Sequence, residues 1–599
     1  MKTFYYFILS SSLLLLSNCL VNLQAQTFDW AQRGGLYAYD YGYGVSTDNA
    51  GNVYAAGKFE QDAIFGTGAG SVTLPNQGNH DIFVAQYSAS GTLNWIHTGG
   101  GPSGDYAHAL ACDKVNNLYI AGEIQNLQNG PAARAGTTQI VFPGSSITLN
   151  DIGDNDAFVA NYDLNGNLLW ARNMGGYYND KAQAVAYDTD GNVLVAGFYN
   201  DTAYFASTTP FNNATQFGPN TTTITGSTTG LNDMFVAKYD KNGNFLWVQQ
   251  VTGPGRDEAK SVGCDAAGNV YVCGLYSDSA QFGNLPLFPL TGYYNTFLAK
   301  YSPSGVLQWV KSSSQGPYDN VAWALTLDKN GLIYVAGEFN ASVYFGNVEL
   351  ITKGMADVFV TCYDENGNVQ WATSAGGQLI DRARGIGTDG TNVYITGQFG
   401  SLTTISGKDT TITTAGFGST NLMAADSSDI FVAELNSSGK FLYAKSVGGI
   451  PDSLELLGYE SGNAISADAA GNAYATGSTL QGGIFGSTAL AQYSRTDFFL
   501  TKVSPGATGL TVLAKNNQDE ITIYPNPSSG QFTIDLAQLP DQRIEMNIYN
   551  GIGQLIDTRS DKSPSKINLN LSAQNSGIYF IKIITEDQTL FSQKVVLQN

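Results

Sequence analysis

Apolar residues in this chain fall in short, dense runs bounded by Asn, Asp and Gly. Runs such as VYAAG, IYVAG and FVAKY are rich in β-branched and aromatic residues. This pattern predicts short buried strands joined by tight turns, not amphipathic helices. One run, opened by Asp and closed by Gly, recurs seven times: DNAGNVYAAG (48–57), DKVNNLYIAG (113–122), DTDGNVLVAG (188–197), DAAGNVYVCG (265–274), DKNGLIYVAG (328–337), DGTNVYITG (389–397) and DAAGNAYATG (468–477). A small alternating run such as AHALAC, AQAVAY or AWALTL precedes each copy. The pair reads as an antiparallel hairpin whose Asn and Gly supply the turn. A second run also recurs seven times: DIFVAQY (81–87), DAFVANY (156–162), DMFVAKY (233–239), NTFLAKY (295–301), DVFVTCY (357–363), DIFVAEL (429–435) and DFFLTKV (497–503). After the first six come a turn and an aromatic strand carrying Trp95, Trp170, Trp247, Trp309, Trp371 and Tyr443.

Each repeat thus supplies four strands, A to D in chain order, and repeated four-stranded units predict a propeller. The seventh C run has no aromatic strand after it. The segment TFDWAQRGG (27–35) has no C run before it. Pairing Trp30 with the last repeat completes that blade and leaves no open edge at the junction. The expected fold is all-β: a seven-bladed β-propeller closed by the N-terminal strand, over residues 26–503. The Asp–Gly–Asn–Val–Tyr–Gly and DxFVAKYD–NG–Trp strings resemble the SBBP repeats of bacterial secreted proteins over about residues 27–503. That resemblance implies fold and no particular activity.

Composition shifts after Val503. A linker is expected over 504–519, then alternating runs at 523–536, 546–557, 567–583 and 593–599. These suggest a small Ig-like β-sandwich over 520–599. The segment resembles the type A C-terminal sorting domain of type IX secretion substrates. The motif residues are Tyr524, Pro525, Asn526, Pro527, Gly530, Gly551, Gly553, Gly577, Tyr579 and Lys594. The resemblance implies recognition by the type IX machinery, removal of the domain, and a product on the surface or released. Residues 1–25 agree: a basic start, an apolar core and a small residue at Ala25 read as a signal peptide. The alternative is a lipobox over residues 16–19, which would lipidate Cys19. No later apolar run is long enough to span a bilayer.

A net charge of −21 makes nucleic acid or an anionic membrane surface a poor partner. Cys112, Cys264, Cys273 and Cys362 have no metal-like spacing and read as small apolar residues. His80, His97 and His108 lack metal-ligand spacing. No nucleophile elbow, HExxH pair or Walker loop occurs, and no carboxylate pair stands out, so no catalytic residue or organic cofactor is assigned.

Two features remain as sites. The A–B and C–D turns are short and uniform. Large length variation falls on the opposite face, in 123–155, 198–232, 398–428 and 448–462. Loops on a rigid scaffold are where binding residues concentrate. On the same face an Asp recurs just before strand A: Asp40, Asp105, Asp180, Asp257, Asp319 and Asp381, with Asp452 and Glu460 near the seventh copy. A carboxylate ring there would attract Ca²⁺; alternatively, each Asp accepts hydrogen bonds from its own turn. The expected function is a secreted, non-catalytic binding or adhesion module for an extracellular glycan or protein. A structural surface component, and an enzyme acting on extracellular polysaccharide, are the alternatives.

Overall fold

The structure is a computed structural model. It describes residues 26–67, 70–125, 139–150, 153–206, 221–227, 231–287, 293–313, 318–401, 414–424, 428–448, 460–480, 482–490, 496–505, 522–536, 543–550, 555–562, 565–585 and 590–598. The expected leader, most of the linker, the middles of the long loops, and Asp452, Gly551 and Gly553 lie outside these residues. Every element in them is a β-strand, and the contacts separate Gln26–Pro505 from a unit containing Gly506–Asn599.

The first unit holds seven antiparallel sheets, each with four principal strands in A-B-C-D order. In the first they are Tyr41–Thr47, Val53–Phe59, Asp81–Tyr87 and Leu93–Gly99. The other A strands are Asp105–Cys112, Lys181–Tyr187, Asp257–Cys264, Asn320–Leu327, Ile380–Thr388 and Ser461–Ala467. Each contacts the A strand of the next sheet, and Tyr41–Thr47 contacts Ser461–Ala467. The B and C strands are buried on both faces, which is why their sequences read as near-continuous apolar runs. The D strand of the last sheet is Thr27–Gly35, paired with Thr496–Ser504 so that Trp30 lies opposite Lys502 and Ala31 opposite Thr501.

Each turn Asp holds its A–B hairpin. Asp48 Oδ1 accepts the amides of Ala50 and Asn52, and its Oδ2 accepts Asn52 Nδ2 and the hydroxyl of Tyr54. Asp265, Asp328 and Asp468 likewise accept a Tyr hydroxyl six residues on.

Seven apolar cores lie between consecutive sheets, including the last and the first. Each D-strand Trp reaches across one. The indole of Trp30 donates to Ala89 O, Trp170 to Lys241 O, Trp247 to Pro303 O and Trp371 to Ser437 O, at 2.9–3.1 Å. Each acceptor lies in the C–D turn of the next sheet. Gly439 of such a turn has φ +79° and packs against the Trp371 ring, where no Cβ fits.

One element was not expected. Every B–C connection contains a short hairpin whose Phe enters the core toward the preceding sheet: Phe65, Phe142, Phe205, Phe282, Phe345, Phe417 and Phe485, all buried. Four of these hairpins pair with the preceding D strand, as in Gly175↔Tyr204 and Gly376↔Gly416. The Phe rings meet the Phe of their own C strand, with centroids 4.8 Å apart for Phe345–Phe359 and Phe417–Phe431. The connections are therefore partly inter-sheet clasps rather than free loops.

The second unit has a three-stranded sheet (Thr522–Tyr524, Gln531–Asp535, Lys566–Asn570) and a four-stranded one (Arg543–Asn550, Leu555–Lys562, Gly577–Thr585, Leu590–Leu597). Ile534, Met546, Ile548, Leu569, Ile581 and Val595 belong to their shared core.

Candidate functional site

In an antiparallel A-B-C-D sheet, A and C begin at the same edge, so the B–C and D–A connections share a face. Tyrosines crowd the D–A connections there. Tyr37 and Tyr39 precede the first A strand, Tyr177 and Tyr178 the third, and Tyr318 the fifth. Tyr293 stands just before a C strand, 6.3 Å from Tyr318 between ring centroids. All six are more than a third exposed, as are Leu231 and Met355 on the same face.

Two cavities open among these residues, of about 390 and 340 Å³. The first is lined by Glu123, Asn155, Asp180, Lys181, Leu231 and Arg256, among others, and the second by Arg256, Glu258, Trp323, Glu338, Met355 and Arg382. Arg256 belongs to both. Their charged side chains come from alternate positions of the A strands and from adjoining B positions. Glu123 takes Lys181 Nζ at 3.1 Å and His108 Nε2 at 3.3 Å. Glu258 is fully buried and pairs with both Arg256 and Lys260. Burial opposes its charge, but the two cations outweigh burial and hold its pKa at about 2. Arg382 pairs with Glu338, which also accepts the Trp323 indole at 3.2 Å. Farther along the A strands, Val45, Leu110, Val185, Val262, Leu325, Ile386 and Ile465 are buried in the inter-sheet cores, so the polar level ends there.

The A-strand aspartates sit at the rim, and their surroundings differ from a simple ring. Each donates its amide to a residue just before or at the start of the preceding C strand: Asp40 to Thr496 O, Asp105 to His80 O, Asp180 to Asn155 O, Asp257 to Asn232 O and Asp381 to Ala356 O, at 2.7–2.8 Å. Their carboxylates accept local backbone amides. Asp180 takes Gly176 and Asn200, Asp381 takes Gly377 and Gly400, Asp105 takes Gly101 and Asp40 takes Glu60. Asp319 is one residue out of register and exposed. The buried position belongs to Asn320, whose amide donates to Tyr294 O and whose Oδ1 accepts Asn340 N. Glu460 fills the seventh position and accepts Leu480 N at 3.1 Å.

Each A-strand carboxyl also faces the first carboxyl of the preceding C strand. Asp40 meets Asp497, Asp105 meets Asp81, Asp180 meets Asp156, Asp257 meets Asp233 and Asp381 meets Asp357. A D-strand glycine lies between several of these pairs. A Cβ on Gly376 would fall 2.6 Å from Asp357 Oδ1 and 2.8 Å from Asp381 Oδ2. Asp40 Oδ2, Asp81 Oδ1, Asp105 Oδ1, Asp357 Oδ1 and Asp497 Oδ1 are buried without a hydrogen-bond partner among the described residues. Burial, reinforced by the facing acid, raises Asp40 and Asp257 to about 8 and Asp381 to about 7. Burial raises Asp81, Asp357 and Asp497 to about 6. At the fourth junction both acids are replaced, by Asn295 and Asn320. Among the described residues, no group of three or more His, Cys, Asp or Glu is arranged to hold a metal ion. Sequence reasoning missed these pairs because their members belong to different repeats.

In the second unit, Tyr524 is exposed, while Tyr579 is buried and donates its hydroxyl to Asn575 O at 2.7 Å. Asn526 Oδ1 accepts Val596 N at 2.8 Å, and Ser528 N donates to Val596 O, so the Tyr-Pro-Asn-Pro segment is tied to the last strand. Gly530 has φ +124°, with the Ser572 backbone where a side chain would go. Gly577 opens one strand, and Lys594 lies opposite Phe580 in the last. Residues 522–598 match the family of secretion system C-terminal sorting domains.

The protein is a type IX secretion substrate carried to the cell surface.

The chain is also similar to curated proteins. It is 29% identical over 237 residues to an uncharacterized WD repeat-containing protein of Acanthamoeba polyphaga mimivirus, covering 35% of this chain and 16% of that one. It is 26% identical over 238 residues to the regulatory protein FlaEY of Caulobacter vibrioides, covering 38% and 22%. The chain thus spans less than a quarter of either relative. The first of these accords with propeller-like sheets. Among solved structures, the extracellular domain of a putative hybrid two-component system from B. thetaiotaomicron aligns over 95% of this chain and 99% of that one, at 11% identity and a TM-score of 0.15. Dimeric latent PorU from Porphyromonas gingivalis aligns over 61% and 31%, at 9% identity and 0.12. Such scores carry no argument about mechanism. No helix among the described residues is long and apolar enough to cross a membrane.

Proposed function

We propose that this surface protein is a non-catalytic binding or adhesion module, an SBBP-type propeller of seven blades closed by its first strand and followed by an Ig-like sorting domain. Its partner is an extracellular glycan or protein. The observation that carries this reading is six exposed tyrosines on the face that also bears the long connections and two cavities sharing Arg256. Tyrosine offers a large contact area with a polar tip at low entropic cost, and concave sites with a few fixed polar groups are the usual places for ligands. The cycle of A-strand contacts and the pairing of Thr27–Gly35 with Thr496–Ser504 support the closed ring. The reading requires neither a cofactor nor a reaction, and no catalytic residue is assigned.

The test is a glycan and surface-protein array probed with the purified secreted protein, with and without Ca²⁺. Saturable binding that weakens in the double variant Tyr177→Ser/Tyr178→Ser supports the reading. Binding unaffected by tyrosine changes at every rim position would move the site elsewhere. A Ca²⁺ requirement lost with Asp105→Asn would restore the carboxylate rim as a cation site.

A further inference from the structure

We propose that the inner-strand level beneath the tyrosine rim holds an anion subsite, built on Arg384 and Lys260 around Trp323, which takes a carboxylate or sulfate group of an acidic glycan. The proposal rests on the binding reading above and specifies its ligand chemistry.

Three observations carry it. First, cations are concentrated here in a chain of net charge −21. Lys181, Arg256, Lys260, Arg382 and Arg384 gather here, and Asp180 and Asp319 line the two cavities as well as Glu123, Glu258 and Glu338. Second, those glutamates are already engaged: Glu123 by Lys181 and His108, Glu258 by Arg256 and Lys260, and Glu338 by Arg382. Arg384 has Glu338 within electrostatic reach, but that carboxylate already bonds Arg382 and the Trp323 indole. The Arg384 Nε is buried with no hydrogen-bond partner among the described residues. A guanidinium has five donors and no means of losing its charge, so a buried N–H of one left unpaired is costly unless an anion reaches it.

Third, the geometry gathers these groups. The Arg384 guanidinium carbon stands 5.1 Å from the Trp323 ring centroid and Lys260 Nζ stands 5.0 Å from it. Each of the two cations gains from the π-system of the ring. The cations come from the sixth and fourth sheets and the ring from the fifth. Tyr43 of the first sheet lies within electrostatic reach of Arg384, and His108 of the second lies 5.4 Å from the Tyr43 ring. Lys260 and Trp323 both line the 340 Å³ cavity, which gives the subsite a path to the rim. An oxyanion here would take charge-assisted bonds in a poorly solvated place, where such bonds are strongest. Lys260 and Arg384 would repel a cationic ligand.

The probes are sodium glucuronate, its neutral methyl ester and sodium sulfate, titrated into the secreted protein at fixed ionic strength with chloride as control. Binding is followed calorimetrically and by the shift in melting temperature. Wild type is expected to bind glucuronate and sulfate saturably and to ignore the ester. Arg384→Gln is expected to weaken binding about tenfold or more, the value of one charged hydrogen bond, and Arg384→Lys to retain part of it. The melting temperature without anion shows whether each variant is folded. Equal response to acid and ester, unchanged affinity in Arg384→Gln, or no response beyond the chloride control would overturn the subsite. If the array yields a neutral ligand sensitive to the rim tyrosines, the binding reading stands and the anion subsite falls.

Discussion

Replacing Asp40 by Asn is expected to make the propeller less sensitive to rising pH. Asp40 Oδ1 accepts the Glu60 amide, and Oδ2 points toward Asp497 with no donor of its own. Burial first, then the Asp497 charge, raise its pKa from 3.8 to about 8, against the pull of the Glu60 amide and Lys58. Because the folded value exceeds the unfolded one, the stabilisation is complete below about pH 4 and is lost as pH rises toward about 8. Each proton held in this way lowers stability by about 1.4 kcal/mol per pH unit across that window. An asparagine keeps the acceptor for Glu60 and offers an N–H to Asp497 without needing a proton. Urea midpoints of wild type and Asp40→Asn, measured from about pH 5 to 8, test this. The variant is expected to match wild type at the acid end and exceed it at the alkaline end, with a slope lower by about one proton. Parallel curves would refute the account of a carboxyl whose pKa burial and the facing acid raise.

Other expectations follow from the same packing. Phe345→Ala empties a clasp position that is 2% exposed and should cost about 3–5 kcal/mol, read as a lowered urea midpoint. Trp247→Phe removes the indole bond to Pro303 O at 3.1 Å and should cost about 1–2 kcal/mol in the same assay, leaving ligand binding unchanged. Gly439→Ala forces a Cβ to 2.7 Å or less from the Trp371 ring at φ +79° and should lower the melting temperature more than Gly331→Ala, where nothing stands within 4 Å. Deleting residues 522–598 should hold the protein in the periplasm, as cell fractionation would show.

The strand content, the repeat and the return of Trp30 to the last sheet were legible because each rests on local alternation or on counting recurring strings. The clasp hairpins were not. Their strands are as short as Ala63–Phe65 and Ile484–Phe485, too brief for a period to show. The recurring Phe, usually followed by Gly, was the available signal. Asp319 was misplaced because the Asp-Asn dipeptide offers two polar side chains, and only the bond from Asn320 N to Tyr294 O fixes the register. The carboxyl pairs, and the convergence of Lys260, Trp323 and Arg384, join residues of different repeats and required three dimensions. Of the variable face, the rim tyrosines were passed over because attention went to loop length rather than to exposed aromatics.

The central claim is that the tyrosine-rimmed face binds a ligand outside the cell. The most direct measurement is the affinity of the secreted protein for its first array ligand, set beside those of Tyr177→Ser/Tyr178→Ser and Tyr293→Ser/Tyr318→Ser. The expected result is a loss of about tenfold or more in each double variant, with melting temperatures unchanged. Wild-type affinity in both would contradict the claim and place recognition away from this face.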